Sequence, residues 1–320
     1  MTAPTDPAES PRPVALVTGA AGGIGTAITC AFHDAGWIVY ATDVDEAGLS
    51  DLASSVDEAG LSDPASGVDE AGLGDLASGV GDGSRLETAR LDVTAETDRE
   101  RVIERVEREV GRLDCLVANA GYAVPGAVLD ADETAVRESY DVLVHGPTAL
   151  VRTAFPLLRA GDGGRVVTIT SSLAEAVFPG TGHYAAAKAA AKTTTQTLRA
   201  ECRNGPVTAV TVEPAWVDTD FADAAADRLP ATADRTSEFA ETYRFLDDGR
   251  LLDGGPVAVS PDRVAATVLR AASADRPRAT YRVGWPATAL TLLSTLPTAV
   301  AAPLRDQTAR VVTWLRSRLD

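Results

Sequence analysis

The stretch VALVTGAAGGIGTAITCAFHDAG, residues 14–36, passes from a short β-rich run through a glycine turn into a helical pattern. No other feature limits the fold as much. VALVT has no polar alternation, so it describes a strand buried on both faces, as happens in parallel sheets covered by helices. Gly19, Gly23 and Gly25 fill the turn behind it, and Gly36 stops the helix. WIVYATD then reads as a second buried strand ending at Asp43. RLETARLDVT, LDCLVANAG, GGRVVTITSS and GPVTAVTVEPAWV read as strands three to six. Between the third and fourth, Val102, Ile103, Val106 and Val110 share one face of a helix that Gly111 ends. Strands alternating with helices in this way predict an α/β architecture built on a doubly wound parallel sheet.

After Val80 no linker rich in Gly, Pro or Ser divides the chain. A single Rossmann-fold domain is therefore expected over residues 13–283. Residues 1–12, MTAPTDPAESPR, have neither the basic nor the apolar region of a signal peptide and are expected to form a disordered tail. Residues 220–256 have weaker periodicity and read as a lid. Its Phe221, Phe239, Tyr243, Phe245 and Leu246 suggest a partly apolar pocket, though they could equally form the core of the lid. Residues 284–320 read as a helical extension. Its apolar part, residues 288–304, is too short to span a membrane and contains Pro297 and Pro303. Val311, Val312, Leu315 and Leu319 would face inward from a last amphipathic helix that caps the core, and membrane contact is not expected.

Residues 44–79 repeat one twelve-residue unit three times: VDEAGLSDLASS, VDEAGLSDPASG and VDEAGLGDLASG. One unit would serve as the helix after the second strand, and two look surplus. They cannot lengthen that helix in phase, because each copy turns the apolar face by about 120°. Pro64 and the repeated glycines break the run as well. The unit lacks the alternating oxygen ligands of a calcium loop and is too short for a solenoid. A looped-out tandem insertion, helical in pieces or disordered, is expected.

Composition narrows the partners. Acidic residues number 46 against 29 basic ones, and the net charge of −17 argues against nucleic acid or an anionic membrane surface. Lys188 and Lys192 are the only lysines. Such a composition suits a salt-rich cytosol or a GC-rich genome equally well. Cys30, Cys115 and Cys202 are far apart and odd in number, which points to buried thiols in a reduced, cytoplasmic setting. The three histidines are scattered, so no metal is expected: His33 lies in the first helix, His145 in a later helical run and His183 beside a tyrosine.

The glycine turn is the first stretch with chemistry. Glycines between a strand and a helix let the backbone close on a pyrophosphate at the positive end of the helix. Asp43, at the end of the second strand, stands where an acid binds both hydroxyls of an adenine ribose. No Arg or Lys in the turn or directly after Asp43 would offset its repulsion of a 2′-phosphate, so NAD(H) is expected over NADP(H). In HYAAAKAAAK, Tyr184 and Lys188 are four apart on one helix face. An ammonium beside a phenol should lower the tyrosine pKa from about 10 and make it a general acid/base. The preceding strand ends in Ser171 and Ser172.

These motifs, in this order over roughly residues 13–220, resemble the short-chain dehydrogenase/reductase family. TGAAGGIG matches the cofactor turn through Gly19, Gly23, Ile24 and Gly25, and LDVT places Asp92 and Val93 near the adenine. NAG supplies Asn119, Ala120 and Gly121, YAAAK supplies Tyr184 and Lys188, and EPAWVDT supplies Pro214, Val217 and Thr219 for the nicotinamide and phosphates. The resemblance implies an NAD(H)-dependent oxidoreductase that interconverts a secondary alcohol and a ketone or aldehyde. Tyr184 would exchange the proton, Lys188 would lower its pKa and hold the ribose, and a serine would hydrogen-bond the alkoxide. Ser172 is the motif match, with Ser171 a candidate because the loop to Tyr184 is short. A homodimer or homotetramer through the alanine-rich helix after Tyr184 is also implied.

Two positions depart from the family pattern. Ala215 replaces a usual glycine, and Leu143 stands where relatives carry the asparagine that holds a relay water behind the lysine. His145, about 200° around the helix, is a poor substitute. Leu143 keeps a second reading open, a weak or inactive NAD(H)-binding protein with a regulatory or assembly role. An epimerase or dehydratase working through a transient ketone is a third.

Overall fold

A computed structural model describes residues 12–60, 85–161, 163–175, 178–247 and 255–295. Its seven strands are β1 (Val14–Thr18), β2 (Ile38–Asp43), β3 (Arg85–Arg90), β4 (Cys115–Ala118), β5 (Arg165–Ile169), β6 (Thr208–Pro214) and β7 (Thr280–Val283). All pair in parallel, in the order β3-β2-β1-β4-β5-β6-β7. The helices are α1 (Gly23–Asp34), α2 (Glu46–Gly60), α3 (Glu96–Glu109), α4 (Glu133–Tyr140), α5 (Gly146–Ala160), α6 (Gly182–Glu201), α7 (Phe221–Ala226), α8 (Ala240–Asp247), α9 (Pro261–Ser273) and α10 (Trp285–Ser294). This is the expected doubly wound α/β sheet.

Strand β1 explains why the sequence reads as it does. Successive side chains point to opposite faces, and both faces are covered. Ala15 and Val17 join Ile28 and Phe32 of α1, Val264 and Val268 of α9 and Val39 of β2 in one core. Val14 and Leu16 join Val102 and Val106 of α3 and Leu150 and Leu158 of α5 in the other. A strand with two buried faces has no polar alternation to show.

Two elements differ from the sequence reading. Strand β7 was not anticipated: TYRV is four residues long, partly exposed and carries an arginine, so it has no buried-strand pattern. It adds to the edge of the sheet with Thr280 opposite Thr211. The first repeat unit does not form a helix by itself, since α2 continues into the second unit as far as Gly60. Leu49, Leu52 and Val56 are buried in the α1–α9 core, and Val56 opens the second unit. They fall at i, i+3 and i+7, so one stripe crosses the unit boundary. Residues 61–79 of the repeat, residues 1–11 of the tail and residues 296–320 of the C-terminal extension lie outside the described residues.

The 220–256 segment contains α7, two short 3₁₀ turns (Thr232–Asp234 and Ser237–Phe239) and α8. Asp130, in the loop after β4, latches it down. Its carboxylate accepts from the Thr236 hydroxyl, from the Thr236 N–H at 2.9 Å and from the Tyr243 hydroxyl at 2.9 Å. The Thr236 bonds hold Asp130 below the usual carboxylate range. Among the described residues no helix is long and apolar enough to cross a membrane.

Because Val56 belongs to the core, Val56→Asp should destabilise the fold by about 2–4 kcal/mol in urea unfolding, through an unpaired buried charge. An unchanged midpoint would mean that α2 ends with the first repeat unit.

Candidate active site

Strand order reverses between β1 and β4, and the crevice this opens at the carboxyl ends of the strands holds the site. Thr18 and Asn119 fix its floor. The Thr18 Oγ1 accepts from the backbone N–H groups of Asn119 and Ala120, both at 3.1 Å. The Asn119 side-chain amide donates to the carbonyls of Thr18 at 3.1 Å and Gly19 at 3.0 Å. Gly19 has φ +68°, and a Cβ there would lie 2.8 Å from the Ala120 Cα. A Cβ on Gly25 would lie 1.9 Å from the Gly19 carbonyl oxygen, so the turn closes only with glycine. On Gly23 a Cβ would meet the Thr219 methyl at 2.6 Å, which makes the turn a cradle facing the segment after β6.

Asp43 closes one end. Its carboxylate accepts from the Ala21 N–H at 3.0 Å and the Asp45 N–H at 3.1 Å, so it is fixed against the glycine turn. Arg90 pairs with Asp43 in strand register, but its guanidinium is bonded to Asp98 at 2.6 Å. Asp92 accepts from the Thr94 hydroxyl and N–H, which hold its carboxyl below the usual range.

The other end is formed by α6. Gly182 starts this helix, and its buried stripe, Tyr184, Ala187, Lys188, Ala191 and Thr195, has helical spacing. Tyr184 is buried, and Ser171 acts on its phenol in favour of the charged form. Lys188 Nζ donates to the Ile169 carbonyl at 2.8 Å and lies 5.8 Å from the centre of the Tyr184 ring. Burial pulls the Lys188 pKa down to about 8.

Of the two candidate serines, Ser171 is the one that acts on the phenol, and one expectation needs correction. Ser172 opens a 3₁₀ turn (Ser172–Glu175), and both serines line the cavity. The phenol pKa is raised, not lowered: burial outweighs the effect of Ser171, and the ammonium is turned to a carbonyl with its own charge disfavoured.

Leu143 sits in a π-helical turn (Asp141–His145) between α4 and α5, an insertion that is frequent at functional sites. Its side chain packs in the same cluster as Tyr184 and reaches to 2.5 Å from where a Cβ on Gly121 would lie. His145 points elsewhere, exposed and bonded to Asp141 at 2.8 Å. The second lysine, Lys192, faces away from the site. Burial opposes its charge, but Glu175 and Glu213, the latter at 2.7 Å, hold its pKa above the usual value.

One cavity of about 620 Å³ joins the two ends, and every site residue expected from the sequence lines it. Tyr122, Val142, Leu173, Trp216, Phe221 and Arg228 line it too. Most of these are apolar or aromatic, and Tyr122 and Trp216 stand in loops, where no periodicity marks them. Among the described residues no group of three His, Cys, Asp or Glu side chains could hold a metal.

The family model described as short chain dehydrogenase matches residues 65–229, just over half of the chain. The protein belongs to the short-chain dehydrogenase/reductase family. It is an oxidoreductase of that family by this match. An uncharacterized oxidoreductase of Staphylococcus saprophyticus is 26% identical over 206 residues, 64% of this chain and 79% of that one. A short-chain dehydrogenase of Penicillium crustosum is 30% identical over 212 residues, 65% of this chain and 67% of its own. Among solved structures, a short-chain dehydrogenase of Streptomyces avermitilis aligns with a TM-score of 0.71 at 25% identity, covering 97% of this chain and 98% of that one. One from Burkholderia phymatum in complex with NAD gives 0.66 at 23% identity, covering 84% and 88%. An alcohol dehydrogenase of Thermococcus sibiricus complexed with 5-hydroxy-NADP gives 0.63 at 20% identity, covering 86% and 97%. The last two likenesses concern the fold.

In this short-chain dehydrogenase the buried Lys188 has a consequence for pH dependence. Its folded pKa of about 8 lies below the ordinary 10.5, so between those values the unfolded chain binds more protons. Stability from this residue therefore rises with pH across that window, by up to about 3 kcal/mol. Urea unfolding from pH 7.5 to 10 should show a rise in wild type that is missing in Lys188→Met. Parallel profiles would mean that the ammonium stays charged throughout.

Proposed function

We propose that this enzyme interconverts a secondary alcohol and a ketone or aldehyde with NAD(H). The observation that carries the reading is the buried Tyr184 with Lys188 one turn on, lining with Ser171 one end of a cavity whose other end is Asp43. The glycine cradle fits a dinucleotide, because a methyl group at Gly23 or Gly25 would fill the space against Thr219 or close the turn. Gly19, Ile24, Asp92, Val93, Asn119, Ala120, Gly121, Pro214 and Val217 form the walls around it. A dinucleotide held there would supply or accept the hydride through its nicotinamide.

The protein's own residues handle the proton and the charge. Tyr184 holds the proton that moves to or from the substrate oxygen, and Ser171 donates to that oxygen as negative charge develops on it. Lys188 is anchored by Ile169 and is assigned to the nicotinamide ribose. Burial keeps the phenol protonated at rest, the form from which it can give a proton to a carbonyl oxygen. Asp43, already bonded to two N–H groups, leaves a negative charge where a 2′-phosphate would stand.

A second reading, a cofactor-binding protein without turnover, is favoured by Leu143. It puts an apolar side chain beside Gly121, close to the lysine, and cannot hold a water there. Kinetics separate the two. Tyr184→Phe should lose turnover by about 10²–10⁴-fold while keeping NADH binding, and Ser171→Ala by about 10²–10³-fold, with Ser172→Ala only slightly affected. Saturable NADH binding without any turnover that Tyr184→Phe abolishes would favour the second reading. For the cofactor, Asp43→Ser should raise the NADPH-to-NADH ratio of kcat/KM by about 10–100-fold. An unchanged ratio would remove Asp43 from the ribose site.

A further inference from the structure

Helix α7 presents one face to the cavity. Phe221, Ala224 and Ala225 of the helix line it, and so does Arg228 in the turn that follows. Phe221 marks the catalytic end, with its ring centroid 5.8 Å from that of Tyr184. The two alanines leave the middle of the groove open. Arg228 stands just past the end of the helix, and its side chain folds back to the Ala224 carbonyl. Its guanidinium stacks 4.7 Å from the centre of the Tyr122 ring, which belongs to the opposite wall after Gly121.

Among the described residues the charge of this guanidinium has no ion-pair partner. Its one hydrogen bond goes to the Ala224 carbonyl of α7. Among the described residues no carboxylate pairs with it, although Arg90, Arg105 and Arg235 each hold one. Asp220 lines the same cavity at the start of α7, and Glu138 and Asp141 act on Tyr122, so acids are near but none is bonded to Arg228. Lys188 and Arg228 are the only cations among the residues lining the cavity. One stands beside Tyr184 and the other is stacked on Tyr122.

We propose that Arg228 recognises an anionic group on the substrate, so that the enzyme acts on an oxo or hydroxy compound carrying a carboxylate, sulfonate or phosphate away from the reacting carbon. This rests on the oxidoreductase reading and names the substrate class of that same pocket. Stacking on Tyr122 keeps the fork of N–H donors in place, so part of the ordering cost of binding is met before the ligand arrives.

The test uses straight-chain oxo-carboxylates of increasing length and their methyl esters. Calorimetry measures binding to the NADH-loaded protein, and steady-state kinetics measure kcat/KM. For the best-fitting length, the acid should bind about five- to tenfold more tightly than its ester, as for a partly exposed ion pair. That ratio should fall to about one in Arg228→Leu and recover in part in Arg228→Lys. Equal affinities in wild type, a ratio that survives in Arg228→Leu, or no binding of either compound at any length would overturn the proposal. So would a loss of NADH affinity in Arg228→Leu with the ratio intact, which would give the guanidinium to the cofactor phosphates. Acid-over-ester binding that depends on Arg228 but comes with no turnover would uphold the anion site and count against the oxidoreductase reading.

Discussion

Thr18 and Asn119 sit where the sheet changes direction, and the site depends on how tightly they close that point. The Thr18 hydroxyl takes two N–H groups from the end of β4, and the Asn119 amide returns two bonds to the end of β1. These four bonds span about a hundred residues of sequence. They satisfy backbone groups that the reversal of strand order would otherwise leave unpaired. They also bring the Gly19 backbone so near to Ala120 that a side chain at Gly19 has no room. The glycine turn, the Asp43 carboxylate held by Ala21 and the NAG loop are parts of one closed structure.

The catalytic end is built differently, by burying groups that water would otherwise solvate. Tyr184 and Lys188 share one face of α6, and burial pushes the phenol toward its protonated form and the amine toward its neutral form. Both shifts come from desolvation first. Such a pair costs stability, and the packed cluster of Leu143, Leu173, Phe178 and the α8 residues Tyr243 and Leu246 around it helps to offset that cost. The Asp130 latch then keeps this wall against the loop after β4.

The sequence made the buried parts of the fold legible and left the exposed and irregular parts obscure. Strands β1, β2, β4, β5 and β6 announce themselves because two covered faces demand unbroken apolar runs. Strand β7 does not, since an edge strand of four residues can be half polar. Helix α2 was misjudged at the repeat boundary: the phase between whole units differs by about 120°, yet the single stripe Leu49, Leu52 and Val56 crosses the boundary in register. Motif spacing brought the cofactor-turn residues to one cavity, but it could not tell Ser171 from Ser172. The boundary between them is the start of the 3₁₀ turn that Ser172 opens, which spacing does not mark. The direction of the tyrosine shift was also beyond sequence reasoning, because burial is a property of the folded site. Arg228 went unnoticed because its meaning comes from the groove, not from its neighbours in the chain.

The most direct test of the account is a crystal structure of the protein grown with NADH. The account predicts the adenine ribose against the Asp43 carboxylate, the pyrophosphate over the Gly19–Gly25 turn and the nicotinamide ring beside Tyr184 and Ser171. A dinucleotide bound with its nicotinamide away from Tyr184, or a ribose that Asp43 does not touch, would contradict it.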